Sequence, residues 1–579
     1  MGLETEYALS FLPQNQRPTN FQIYTQLQKA ISSLVKTKPG KREYQKEFFC
    51  ENGGAFAYEF IPKAFEHGLI EGKTPECVSA SELLLYQKAQ EELLIQAIPL
   101  AEQALEMQGF PGTLKILKNC RDSEGHIYGA QENYEVEIAS GSMLHLLKFG
   151  LILLFPLVIL LALFLFTELV LGFVDLLVLA ILWFLCLFFL NSLTLAAIAM
   201  PGVFPKNSAY RFKRRTQTIS AKVSDIFADS NLESHLMKIE SYFSYVGIIF
   251  FTPFAWLWRL TGFSKQRQQL TGFFASRIIF SGAGTLLEDG SFCLAEKAVA
   301  VKSLMRQNGW VSARVLFDTG NLLKKVSFSS LNLLTLKKLD YFELFKKKQR
   351  LQYGMSDSNC AQLAEYLKIG LTQMILELAE EGVFADAPVL KHPVSAIKSI
   401  NSDPSLKVKV DIKNNSPLSA IELQNYYLNR VKTYLKENSV SSLEHRELLQ
   451  HWETVLIHLE KSPDKLIGRV DWISKKYLLH TAGEGLDYQA KKKIDLAYHQ
   501  LGDGYYALLE TEKIGEQLVD KNEVIEAMVM PSSASQAKRR SNFIKNPLYE
   551  GKSVTISWDS VHVGPFLTGE VISLRDYRK

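Results

Sequence analysis

Two long apolar runs stand out from an otherwise mixed pattern of hydrophobic and polar positions. Phe149 to Thr167 holds nineteen residues without a charge, and Leu176 to Met200 holds twenty-five more. Roughly 20 apolar residues carry a helix across the hydrocarbon core of a membrane, so each run can span once. Neither keeps the polar stripe of a buried soluble helix. Glu168, Gly172 and Asp175 between them predict a short turn, and the whole predicts a transmembrane helical hairpin. Lys206, Arg211, Lys213, Arg214 and Arg215 follow the second run, while the turn carries only acids. The positive-inside rule then puts both hairpin ends, and the body attached to them, on the cytoplasmic side of the inner membrane. The basic cluster either meets anionic membrane lipids or is simply solvated. A third uncharged stretch, Ser241 to Trp258, includes Pro253. A third crossing would separate the flanking parts, so about 241–260 reads as interfacial or re-entrant.

Outside these runs the pattern alternates. Leu3 to Leu9 reads as a strand with Glu4 and Glu6 on one face. Such a pair is either an exposed edge with solvated acids or a cation site. A second strand, Ala55 to Ile61, sets Glu59 among Phe56, Tyr58 and Phe60, where an acid is surface-facing or functional. Gly72-Lys73-Thr74 before a helical stretch at 79–107 resembles the end of a phosphate-binding loop. Gly68 lies too close and Pro75 follows at once, which excludes that motif. Ser281-Gly282-Ala283-Gly284 is a plain turn or a phosphate-approaching backbone. Asp357-Ser358-Asn359 predicts the N-cap of a helix ending at Gly382. The last third is mostly helical and closes on a strand, Ser553 to Val563, containing Trp558.

Composition narrows the chemistry. Hydrophobic residues make up 47% and charged residues 22%, values that support a large core. A net charge of +4 over 579 residues argues against a broad nucleic-acid surface. Six scattered cysteines fit a reducing compartment. With no H-E-x-x-H, G-x-S-x-G or histidine cluster, a metal here would sit on carboxylates, which points to Mg2+ and a phosphorylated substrate.

In order along the chain, Gly2-Leu3-Glu4-Thr5-Glu6-Tyr7, Asn52-Gly53-Gly54, Thr74-Pro75-Glu76-Cys77, Lys118-Asn119, Tyr128-Gly129 and Glu132-Asn133-Tyr134 resemble segments of the Pup ligase/depupylase family. Gly282-Ala283-Gly284, Asp357-Ser358-Asn359, Tyr366 to Gly370, Asp403 to Leu406 and Trp558 continue the series. The resemblance covers about 1–140 and 267–570 and leaves the apolar region as an insertion. It implies an α+β, glutamine-synthetase-like antiparallel sheet with packed helices. The implied division is 1–140 and 267–480 for the catalytic domain, 141–266 for the membrane insertion and 481–579 for a smaller C-terminal domain. It further implies ATP- and magnesium-dependent phosphorylation of a carboxylate on Pup or a Pup-like tail, and transfer to a lysine-bearing protein. By resemblance Glu4, Glu6, Glu71 and Glu132 would hold metal, Thr74 and Trp558 would contact nucleotide, and Glu59 would be the general base.

Departures accompany the likeness. Glu59 replaces an aspartate, Ala55 and Ala57 replace arginine and tyrosine, Gln131 replaces histidine, and Phe317 to Asn321 lacks an expected arginine. Arg469 to Ile473 and Ile494 to His499 look more like the ligase branch than the depupylase branch. The expected function is therefore a membrane-anchored carboxylate–amine ligase. The alternatives are a hydrolase of the same fold or a catalytically weak nucleotide-binding scaffold.

Overall fold

The computed structural model describes residues 1–61, 64–199, 249–306, 314–335, 339–438, 442–483, 485–549, 551–565 and 569–574; for 61, 64–66 and 174–199 it describes backbone only. Strict alternation makes β1 (Gly2–Pro13) the centre of the molecule, with Leu3, Thr5, Tyr7, Leu9 and Phe11 buried on one side. It pairs antiparallel with β5 (Ala64–Lys73), β6 (Gly112–Leu117) and β7 (Gln131–Glu137). Beyond β5 the sheet continues through β4 (Ala55–Ile61), β3 (Phe48–Cys50) and β2 (Thr37–Pro39). Beyond β7 it continues through Lys348–Tyr353, Val315–Asp318 and Ser303–Met305, the last two strands being parallel. The result is a mixed ten-stranded sheet with helices packed on it, an α+β fold.

The back face is covered by α1 (Asn20–Leu34), opened by a Thr19–Gln22 capping box, and α2 (Ala80–Glu106), capped by Ser79. Gly72 belongs to this packing: a Cβ there would come within 2.2 Å of Gln90 Nε2 on α2. Gly72-Lys73-Thr74 thus ends a strand, in agreement with the rejected phosphate loop. A separate small core joins Phe49 and Ala55 to Ile544, Val554, Ile556 and Val561 near the C-terminus. There the expected single strand is two, Val554–Ile556 and Ser560–Val563, with Trp558 in the turn between them.

The apolar region differs from the expected hairpin. α3 runs without a break from Gly141 to Ala199, through Glu168, Gly172 and Asp175. Glutamate and aspartate are tolerated inside helices and one glycine costs only about 1 kcal/mol, so these residues do not compel a turn. Its Gly141–Phe173 part is long and apolar enough to cross a membrane. Leu147, Leu151, Val158 and Ala162 form a buried stripe, while Phe149, Leu153, Leu160, Leu163 and Phe173 are exposed. The side chains of the second run, the basic cluster and 241–248 lie outside the described residues. The chain returns as a helix at 249–261 lying along the first part of α3, with Phe250 and Phe164 rings 6.3 Å apart. Tyr341 also clamps α3, donating to the Leu151 carbonyl at 2.5 Å.

The predicted N-cap at Asp357 is likewise replaced. The helix Gln362–Glu380 begins after Ala361 with no side-chain cap. Asp357 instead accepts from the backbone N–H groups of Ala283, Glu296 and Lys297, at 2.9, 2.7 and 3.0 Å. Ser281 to Gly284 is accordingly a turn pinned by an acid. The helix does end at Gly382, whose φ of +83° suits glycine.

Candidate active site

The front face of the sheet, opposite α1 and α2, gathers the charged residues. Register fixes which ones: Glu4 pairs with Lys73, Glu6 with Glu71, and those with Ala55 and Ala57 on β4, where Glu59 follows two residues on. Directly paired residues share a face, so Glu4, Glu6, Glu71, Lys73 and Glu59 form one surface. The segment 42–47 adds Arg42, Gln45 and Glu47.

Nearly every acid on this surface already has a partner. Lys73 Nζ lies 2.6 Å from Glu71 Oε2 and 3.2 Å from Glu47 Oε1, and all three residues are buried. Arg42 reaches Glu47 at 3.5 Å and Glu71 at 3.9 Å. Arg350 pairs with Glu4 at 2.5 Å and donates to Asn133 at 2.7 Å. Burial alone would raise the Glu4 carboxyl, but Arg350, with help from Lys73 and Arg42, holds it below its usual range. Glu6 accepts from the Gly129 N–H at 2.8 Å and is nonetheless raised by burial. Gly129 has φ +108°, and a Cβ there would strike Cys120 Sγ. Gln131 accepts from Gln352 beside them.

Glu59 is different. Among the described residues its hydrogen-bond donor is the neutral amide of Gln45, Nε2 at 2.7 Å. Burial, then the charges of Glu71 and Glu6, push its carboxyl up to about 7. A carboxylate that titrates near neutrality suits a general base.

Glu132 belongs elsewhere. It pairs with Leu3 in the register and points into the core. Arg277 grips it with bonds of 2.5 and 3.0 Å, Tyr134 donates at 2.6 Å, and the guanidinium stacks 4.0 Å over the Tyr353 ring. Its pKa falls because Arg277 outweighs burial. Glu132 is therefore a structural ion and not part of a front-face metal set. Thr74 is buried, and its Oγ1 accepts the Leu3 N–H at 3.0 Å, bracing β5 against β1. Trp558 is half-buried, edge-on to Phe49 at 5.2 Å with Arg540 at 4.5 Å over its ring. Phe49 on β3 and Lys73 on β5 are two strand spacings apart, about 10 Å, a distance an extended nucleotide can bridge.

The implied magnesium set can now be tested against the residues present. Among the described residues no group of three metal-type ligands converges. Glu4 and Glu71 are ion-paired to the chain's own cations, Glu6 is held by a backbone N–H, and Glu132 is behind the sheet. A protein-held multi-carboxylate magnesium site does not fit this arrangement. Sequence reading missed Lys73, Arg42, Glu47, Arg350 and Arg277. Lys73 had a signal, since it shares strand parity with Glu71.

Known proteins give the arrangement its context. Pup–protein ligase of Arthrobacter sp. (strain FB24) is 29% identical over 36% of this chain and 48% of its own length. Depupylase of Acidothermus cellulolyticus is 29% identical over 37% of this chain and 44% of its own length. These matches thus span about half of each relative. Pup–protein ligase of Sanguibacter keddieii is 22% identical over 84% of this chain and 79% of its length. The crystal structure of the Pup ligase PafA with Pup shares the fold at 16% identity and a TM-score of 0.62, covering 99% of this chain and 88% of that one. The PafA complex with ADP gives a TM-score of 0.58 at 16% identity, covering 91% and 86%. The profile of the Pup-ligase protein family matches residues 1–562, so the chain belongs to that family.

Proposed function

We propose that this protein is an ATP-dependent carboxylate–amine ligase that joins a glutamate-type carboxylate of Pup or a Pup-like tail to a lysine amine. Glu59 carries the reading: a carboxyl raised to about 7 on the face that holds Glu6 and Glu71. The γ-phosphate of ATP passes to the carboxylate, giving an acyl phosphate and ADP. The amine then attacks the carbonyl, a C–N bond forms, the C–O bond to phosphate breaks, and inorganic phosphate leaves. Glu59 accepts the proton the attacking nitrogen must lose. Trp558 supplies a surface for the base. No step is assigned to magnesium held by the protein.

The similarity to a depupylase supports a second reading, in which Glu59 activates water instead. Membrane attachment through α3 completes the proposal, supported by its exposed apolar residues from Phe149 to Phe173. ADP formation by the detergent-purified chain, with and without a glutamate-terminated peptide and a lysine acceptor, tests it. Peptide-stimulated ADP release with an isopeptide product is expected, and both should be lost in Glu59→Gln. Amide cleavage without ligation would favour the hydrolase; bound ATP without turnover would favour the scaffold.

A further inference from the structure

The front-face acids raise a question of charge that the ligase reading leaves open. Glu4, Glu47 and Glu71 would be costly to gather and bury without cations. Here the chain supplies them. Lys73 sits between Glu71 and Glu47, at 2.6 and 3.2 Å, and is only 2% exposed. Arg42 lies across the same two acids, and Arg350 closes on Glu4.

We propose that Lys73 is a built-in counter-ion occupying the place of a divalent metal, so that the front face holds its acids together without one. Magnesium binds carboxylate oxygens at about 2.0–2.1 Å and demands near-octahedral geometry. An ion on Glu71 Oε2 would lie within roughly 5 Å of the Lys73 ammonium, since that ammonium is itself 2.6 Å from the same oxygen. Two and one positive charges at that spacing, away from bulk water, repel strongly. Lys73 cannot swing aside cheaply, because Glu71 and Glu47 would then stay buried without its charge. Its strand position is fixed by pairing with Glu4 on β1 and Ala55 on β4. The Leu3–Thr74 bond anchors the next residue. Lys73 is thus a positioning residue that sets the charge and spacing of the acids around Glu59.

The proposal rests on reading this face as the ligase site, but its test needs neither nucleotide nor turnover. Mn2+ is titrated into the full-length protein in detergent and free ion is followed by electron paramagnetic resonance. Wild type is expected to bind no saturable Mn2+ below about millimolar, the weak end of cation sites. Lys73→Gln keeps a polar group, one atom shorter, removes the charge, and should gain a site at least about tenfold tighter. Saturable micromolar binding by wild type, abolished in Glu71→Gln, would overturn the proposal. So would Lys73→Gln that folds normally and gains no site. Should Lys73→Gln not fold, the wild-type titration still decides. Failure of the ADP assay would sink the ligase reading while leaving the Mn2+ result standing.

Discussion

Glu132 and Arg277 lie 145 residues apart in sequence, and each is 1% exposed. Each remains ionised in the core because the other is there, and removing one partner strands the other. Glu132→Gln should lower unfolding free energy by about 3–5 kcal/mol in denaturant titrations. A metal-ligand role would predict little change in stability. Glu59→Gln should leave stability near wild type and reduce ligation by about 10²–10⁴-fold. With Glu59 as the proposed general base, its deprotonated form would be the active one, and the wild-type rate should climb with pH and level off above about 7. The contrast between these two acids marks what the sequence disclosed. The alternation of Leu3 to Leu9 put Glu4 and Glu6 on one face correctly. The same rule, applied to Glu132, Tyr134, Val136 and Ile138, assigns Glu132 to the apolar side of β7; likeness to a motif gives residue order but not strand parity. Arg277 and Arg350 had no local signal, since their partners are brought to them only by folding.

Among the elements, α3 shows a similar split between what composition reveals and what it leaves open. Its apolar length was plain from the sequence. Its straight passage through Glu168 to Asp175 was not, because residues compatible with a turn are also compatible with a helix. Phe164 and Phe250 are ring neighbours at 6.3 Å, so the chain leaves and re-enters the body at nearly one place. Residues 166–248 can therefore be replaced by a short glycine–serine linker. The excised protein should keep its fold by circular dichroism and move from the membrane pellet to the supernatant on flotation. If it stays with the membrane, the segment beyond Leu165 is not what anchors it.

At the level of the whole molecule, buried charge makes stability depend on pH in both directions. Burial would raise Glu91, but Lys118 and Lys88 prevail and bring it to about 2, below the ordinary 4.5. Asp495, held by Lys475 and Lys492, is lowered as well. Such groups add stability above the ordinary carboxylate range and lose it as pH falls toward their folded values. Glu296 is raised to about 7 by burial, only partly offset by Lys475. Its contribution is present below 4.5 and lost as pH rises through about 7. Melting temperature should therefore peak near the ordinary carboxylate value of 4.5, falling as pH drops below it and as pH rises from it to about 7; a monotonic profile would contradict this balance.

The clamp at the foot of α3 also determines what attachment to a bilayer would do. A flexible leash lets a site sweep a wide volume, so that any nearby amine is sampled. Here Tyr341 at Leu151 and Phe250 at Phe164 hold α3 along its first part, so a tether made of it would be a stalk. In a bilayer, such a stalk would hold the body at a set height above the lipid. Acceptor lysines on neighbouring membrane proteins would be sorted by how far they rise from the bilayer, with the backbone acting as a ruler.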